Sequence, residues 1–183
     1  MKYSIYYRIK DFLIIEFPQF IKNIWKFRKA LWRHRWYDYS GALHFLEIGV
    51  QDIASNVKTK GIEVGYSRDK KVVKMERVVE ILTNIREDRY FDIVEEELGR
   101  GYNTGNIKFI PYESMPDHYE MVDYDSEEER EFNSKYFERV TELENQQWDE
   151  LWNILKGQDY DKFDKQKDWD DQFDGSGMRG WWD

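Results

Sequence analysis

Trp25-Lys-Phe-Arg-Lys-Ala-Leu-Trp-Arg-His-Arg-Trp-Tyr-Asp-Tyr39 lies at the centre of the stretch, residues 18–60, on which the reading of the fold turns. Phe20, Ile24, Phe27 and Leu31 recur at spacings of four, three and four, which predicts an amphipathic helix from Gln19 to about Trp36 with these residues as its core face. Ile21, Trp25, Trp32 and Trp36 form a second, aromatic edge. Lys22, Lys26, Lys29 and Arg33 repeat at the same spacings as the core face and give a basic stripe about 16 Å long. Tyr37-Asp-Tyr-Ser-Gly41 reads as a break, with Asp38 or Ser40 able to cap a second helix. That helix, Ser40 to Lys60, turns Leu43, Leu46, Val50, Ile53 and Val57 inward and ends at Gly61. The pair makes an αα-hairpin, the expected nucleus of the fold.

Outward from the hairpin the same periodicity continues. Upstream, residues 1–17 fit either a strand or a helix; a helix from about Ser4, broken before Pro18, is preferred. Downstream, Ser67 caps a helix to about Glu87 with Val72, Met75, Val79, Leu82 and Ile85 inward. A short helix, Tyr90 to Leu98, stops at Gly99. Residues 99–124 are punctuated by Gly, Asn and Pro and read as an ordered loop packed by Tyr102, Phe109, Tyr112 and Tyr119, with Ile107–Ile110 as a short strand. Ser126 and Glu129 form a capping box that starts a long helix, closed by Gly157. The expectation is therefore a mainly α protein, a compact helical bundle built on an αα-hairpin, with at most a small β element near residues 102–112. It places one helical domain over residues 1–157 and an acidic, aromatic C-terminal tail over 158–183. Trp169, Phe173, Trp181 and Trp182 are costly to leave in water, so the tail is expected to dock on this chain or on a second copy.

The 183 residues include 8 Trp, 13 Tyr and 11 Phe, enough large rings to form a core despite a charged fraction of 36%. No cysteine is present, which excludes a disulfide framework, a thiolate zinc site and a cysteine nucleophile. The first residues lack the pattern of a signal peptide, and Phe12–Ile15 is far short of the ~20 apolar residues that span a bilayer. A cytoplasmic protein is expected. The net charge of −9 conceals an asymmetry: residues 1–40 hold 9 Lys/Arg against 3 Asp/Glu, whereas residues 113–183 hold 8 against 22. A basic end opposed by an acidic one points to an anionic ligand or to self-association.

Four groups of residues bear on chemistry. Arg28, Arg33, His34 and Arg35 lie among Trp32, Trp36, Tyr37 and Tyr39. Guanidinium groups hold phosphate and aromatic faces stack on bases, so this mixture suits a nucleotide. His44 and Glu47 have the spacing of a metal or acid–base pair, but no second such pair occurs. Glu95-Glu-Glu-Leu-Gly99 is similar to an element of the helical, magnesium-dependent nucleotide pyrophosphohydrolases. Arg100 stands where that element has Asp, and the Glu-x-x-Asp partner helix is missing, so a helical hydrolase ranks last among the readings. Asp170–Gly177 has the first half of a calcium loop but lacks its twelfth-position Glu and reads as a turn. No cofactor motif is found.

The run Phe20-Ile-Lys-Asn-Ile-Trp-Lys-Phe-Arg-Lys-Ala-Leu-Trp-Arg-His-Arg-Trp-Tyr-Asp-Tyr39 resembles a group of uncharacterised small proteins of tailed phages, a likeness covering roughly residues 18–99. It implies a setting, the cytoplasm of an infected host cell, and transfers no functional residue. The expected function is non-enzymatic: sequestration of a small anionic ligand, a nucleotide or cyclic-nucleotide immune signal, by the basic–aromatic helix. The alternative is an interaction module that targets a host or virion protein, or self-assembles into a homo-oligomer through its acidic aromatic tail. Attachment of residues 1–36 to an anionic membrane surface ranks below both, and no membrane partner is expected.

Overall fold

The computed structural model describes the backbone of residues 2–61, 65–111, 115 and 117–181, with side chains from residue 7 onward. The expected packing of Tyr112 and docking of Trp182 lie outside the described residues. The fold is mainly α, with helices over 71% of the chain. In order these are α1 (Lys2–Asp11), α2 (Phe17–Arg33), α3 (Tyr39–Lys60), α4 (Tyr66–Glu87), α5 (Tyr90–Leu98), α6 (Glu127–Lys156) and the short α7 (Trp169–Gln172). One antiparallel pair of strands, β1 (Ile107–Pro111) and β2 (Tyr119–Asp123), sets Phe109 opposite Met121. The chain forms two compact units, residues 1–86 with 151–183, and residues 87–150.

In the first unit, α2 and α3 pack together through a five-residue connection, His34–Asp38. The Asp38 carboxylate accepts the Ser40 N–H at 2.8 Å and its hydroxyl at 2.7 Å, which caps α3. The Ser40 hydroxyl and N–H hold that carboxyl below its ordinary value. Val50, Ala54 and Val57 of α3 are buried, as are Val72, Met75, Val78, Ile81, Leu82 and Ile85 of α4. The Glu47 carboxylate accepts the Arg86 Nε–H at 2.7 Å and the Thr83 hydroxyl at 3.2 Å, with both charged side chains largely out of water.

The acidic C-terminal segment belongs to the same unit; Phe173 and Trp181 are buried, whereas Trp169 stacks on Phe173 with half of its surface in solvent. Trp181 is 1% exposed, and its indole Nε1–H donates to the Gly175 carbonyl at 2.9 Å. The Lys70 ammonium donates to the Asp170 and Phe173 carbonyls at 2.5 and 2.8 Å. Gly175 makes this approach possible: its φ is +90°, and a Cβ there would lie 2.3 Å from the Lys70 carbonyl oxygen. Gly157, at φ +78°, is equally constrained, since a Cβ would meet the Gly177 Cα at 2.4 Å. The polar sequence of this segment is thus a coat over Phe173 and Trp181.

The second unit gathers its rings around α5 and α6. Tyr136 is fully buried and its hydroxyl donates to the Phe91 carbonyl at 2.6 Å. Tyr102 lies 5.4 Å from the Tyr136 ring and 5.1 Å from that of Phe137. Ser126 and Glu129 exchange hydrogen bonds at 3.0 and 3.2 Å, the capping box expected at the start of α6. Two expectations fail here. Phe109 and Tyr119 do not pack the loop; both are exposed. Residues 119–123 form a second strand antiparallel to Ile107–Pro111, with Ile107 opposite Asp123 and Pro111 opposite Tyr119.

Candidate docking surface

Two expectations about the N-terminal helices are overturned. Pro18 lies in the first turn of α2, where a proline is tolerated, but the helix is not broken before it. Phe12–Glu16 instead form a π-helical turn, in which the Phe17 N–H donates to the Phe12 carbonyl five residues back. Proline lacks an N–H and its ring crowds the carbonyl four residues earlier; a widened turn relieves both and lets the helix continue. The predicted core face of α2 is also not a core face. Phe20 is 57% exposed, Ile24 40% and Leu31 53%; Phe27 alone of the four is half-buried, 5.7 Å from the Phe45 ring.

The reason is which side of α2 meets α3. Ala30 is the one buried residue of α2, and Lys26 reaches Asp52 of α3 at 2.5 Å. At 100° per residue, Lys26, Ala30 and Phe27 occupy one side of the helix. Phe17, Phe20, Ile21, Ile24, Trp25, Leu31 and Trp32 occupy an arc of about 140° centred away from it. The small residue lets α2 approach α3, and the wide apolar arc is left facing solvent.

The basic–aromatic residues continue this surface at its C-terminal end. Trp32 and Trp36 are 85% and 90% exposed, and Tyr37 and Tyr39 also stand in solvent. The Arg28 guanidinium lies 5.1 Å from the Trp25 ring centroid, a cation–π contact in the middle of the apolar arc. Arg35 donates to the His34 carbonyl at 2.9 Å and to that of Trp32 at 3.4 Å, closing the open end of α2. His34 is exposed yet seated: its Nδ1 lies 2.8 Å from where a Gly41 Cβ would be, and its ring meets Phe45 edge-on at 5.9 Å. Burial, then the charges of Arg86, Arg33 and Lys29, lower the pKa of His44 against the opposing pull of Glu47. The cations of α2 therefore crowd the start of α3.

The eight predicted ligand residues thus lie on one short run of backbone, and the structure leaves them open. Depressions of 320, 230 and 330 Å³ lie beside Glu76, Asp174 and Trp169, and none of these includes a residue of 25–39. Of the carboxylates in Glu95–Glu97, Glu97 is paired with Arg139 at 3.0 Å. Residues missed as surface are Phe12, Phe17, Phe20 and Ile24. Their signal was the width of the apolar arc, too broad for one helix contact. Comparison with protein-family models, curated proteins and solved structures found no match for this chain.

Proposed function

We propose that this chain is a non-enzymatic docking protein, whose exposed N-terminal face engages an extended, anionic partner surface. The observation that carries this reading is the open apolar and aromatic arc of α2, lined by cations, in a chain whose net charge is −9. Residues 17–37 contain six Lys/Arg and no Asp/Glu. Exposed rings of this size are uncommon on a surface without a partner, and the local charge selects an anionic one.

Capture of a small anionic ligand such as a nucleotide is a second reading, favoured by Arg28, Arg33 and Arg35 beside the open rings of Trp32 and Trp36. It is ranked second because a small-molecule site normally encloses most of its ligand, whereas these rings stand in solvent. The likeness to small tailed-phage proteins gives both readings the same setting, a host cell whose components supply the partner.

Retention on immobilised heparin tests the first reading. A protein of net charge −9 with evenly spread charge passes through at low salt; this one is expected to bind and elute with added salt. The triple variant Lys22→Glu, Lys29→Glu, Arg33→Glu is expected to lose retention. Free passage of the unaltered protein contradicts the proposal. A nucleotide panel in thermal-shift assays tests the second reading, which fails if no nucleotide raises the melting temperature.

A further inference from the structure

Resting on the docking reading, we infer that the partner surface is an anionic lipid membrane, on which α2 and the preceding turn lie in the plane of the interface. Three observations converge.

The first is the continuity of the apolar face through the π-turn. Five residues of regular α-helix would set Phe12 about 140° from Phe17. The wide turn brings it back beneath Phe17, with the rings 6.2 Å apart. Leu13 and Ile14 in the same turn are more than half exposed. The exposed face therefore runs from Phe12 to Trp32, about 30 Å at 1.5 Å per residue.

The second is the placement of charge. Lys22, Lys29 and Arg33 border the apolar arc, and Arg28 lies inside it with its guanidinium over Trp25. An interfacial helix has this arrangement, with apolar residues among acyl chains, Trp at the headgroup level and cations reaching the phosphates. A second copy of this face fits poorly. Symmetric pairing sets one cation-lined face against another, with no acidic residue in 17–37 to neutralise either.

The third is length. No described helix is long and apolar enough to cross a membrane. The face is wide and one-sided, and its opposite side holds Lys26 and Ala30 against α3. That geometry suits lying on a bilayer rather than passing through it. Phe20, Ile24 and Leu31, read from the sequence as a core face, are exposed and so available to an interface.

The test is flotation of the full chain with vesicles of phosphatidylcholine containing roughly one-quarter phosphatidylglycerol, against pure phosphatidylcholine. The protein is expected to float with the anionic vesicles, at least about tenfold more strongly than with neutral ones, and to come off as salt is raised. Phe20→Glu with Ile24→Glu is expected to abolish flotation. Both positions are exposed, so an unchanged melting temperature certifies the fold. Flotation of that variant like the unaltered protein, or equal binding to neutral vesicles, overturns the inference. So does a protein that stays in solution, whether as a monomer or as an oligomer that the double variant dissociates; the oligomer assigns the face to a second copy. Retention on heparin without flotation overturns the lipid assignment and leaves the docking reading standing; loss of both removes both.

Discussion

Phe17 donates its backbone N–H to the carbonyl of Phe12, and the two rings lie 6.2 Å apart on the outside of the N-terminal helix. One extra residue in that turn decides where everything before it points. Deleting Ile14 shortens the spacing to four, a regular turn that returns the Pro18 ring to the carbonyl four residues earlier, and is expected to lower the thermal stability of the N-terminal helix, followed by circular dichroism.

The C-terminal segment holds its unit together through one buried indole. Trp181→Ala removes a ring that is 1% exposed together with its hydrogen bond to Gly175, and should destabilise the protein by about 3–5 kcal/mol. Urea denaturation followed by circular dichroism measures it. A change below about 1 kcal/mol contradicts the packing described.

Backbone geometry gives a sharper version of the same test. Gly175→Ala meets both a positive φ and the Lys70 carbonyl, so the segment must shift away from α4. A loss of at least about 2 kcal/mol is expected. Gly49→Ala, a helical site with open space around it, is expected to be neutral or mildly stabilising.

Asp174 makes part of this contact depend on pH. Burial raises its carboxyl, but the Ser176 hydroxyl and N–H, with the Lys74 ammonium, outweigh burial and hold it below its ordinary 3.8. A depressed folded value means the contribution is present above that ordinary value and is lost as pH falls through the folded one. The stability difference between the native chain and Asp174→Asn is expected to be constant near neutrality and to shrink below about pH 4. A difference that grows on acidification contradicts the assignment.

Glu47 and Arg86 are a paired charge in a largely dry position, with Thr83 as third member. Glu47→Ala removes the carboxylate from the half-dry guanidinium and should cost about 1–3 kcal/mol; Glu47→Gln keeps the shape but loses the charge, and falls between. Thermal or urea unfolding distinguishes the two variants.

Helices α3 to α6 were legible in sequence because each carries its own periodicity and end signals. Asp38, the Ser126–Glu129 box and Gly99 bound their elements as local chemistry dictates. The exposure of α2 was not legible, because periodicity reports that a face is apolar and not what covers it. The contact of α2 with α3 is decided by Ala30, a residue with almost no hydrophobic signal of its own. Strand β2 was hidden because Tyr119–Asp123 makes sense only beside Ile107–Pro111. The seating of the C-terminal segment depends on Gly157, Gly175 and Gly177 meeting distant backbone, a relation no local pattern encodes. The basic–aromatic run at 25–39 was visible as composition; its openness came only from the fold.

The absence of cysteine from the chain permits the most direct test of the exposed face. Single variants Ile24→Cys and Ala30→Cys, on opposite sides of α2, can be reacted with a thiol reagent under identical conditions. Ile24 is 40% exposed and Ala30 1%, so the first thiol is expected to react at least about tenfold faster in the free protein. Anionic vesicles are then expected to slow it towards the rate of the second. Equal, slow reaction at both positions in the dilute free protein would mean that the face is already covered, and would contradict the account.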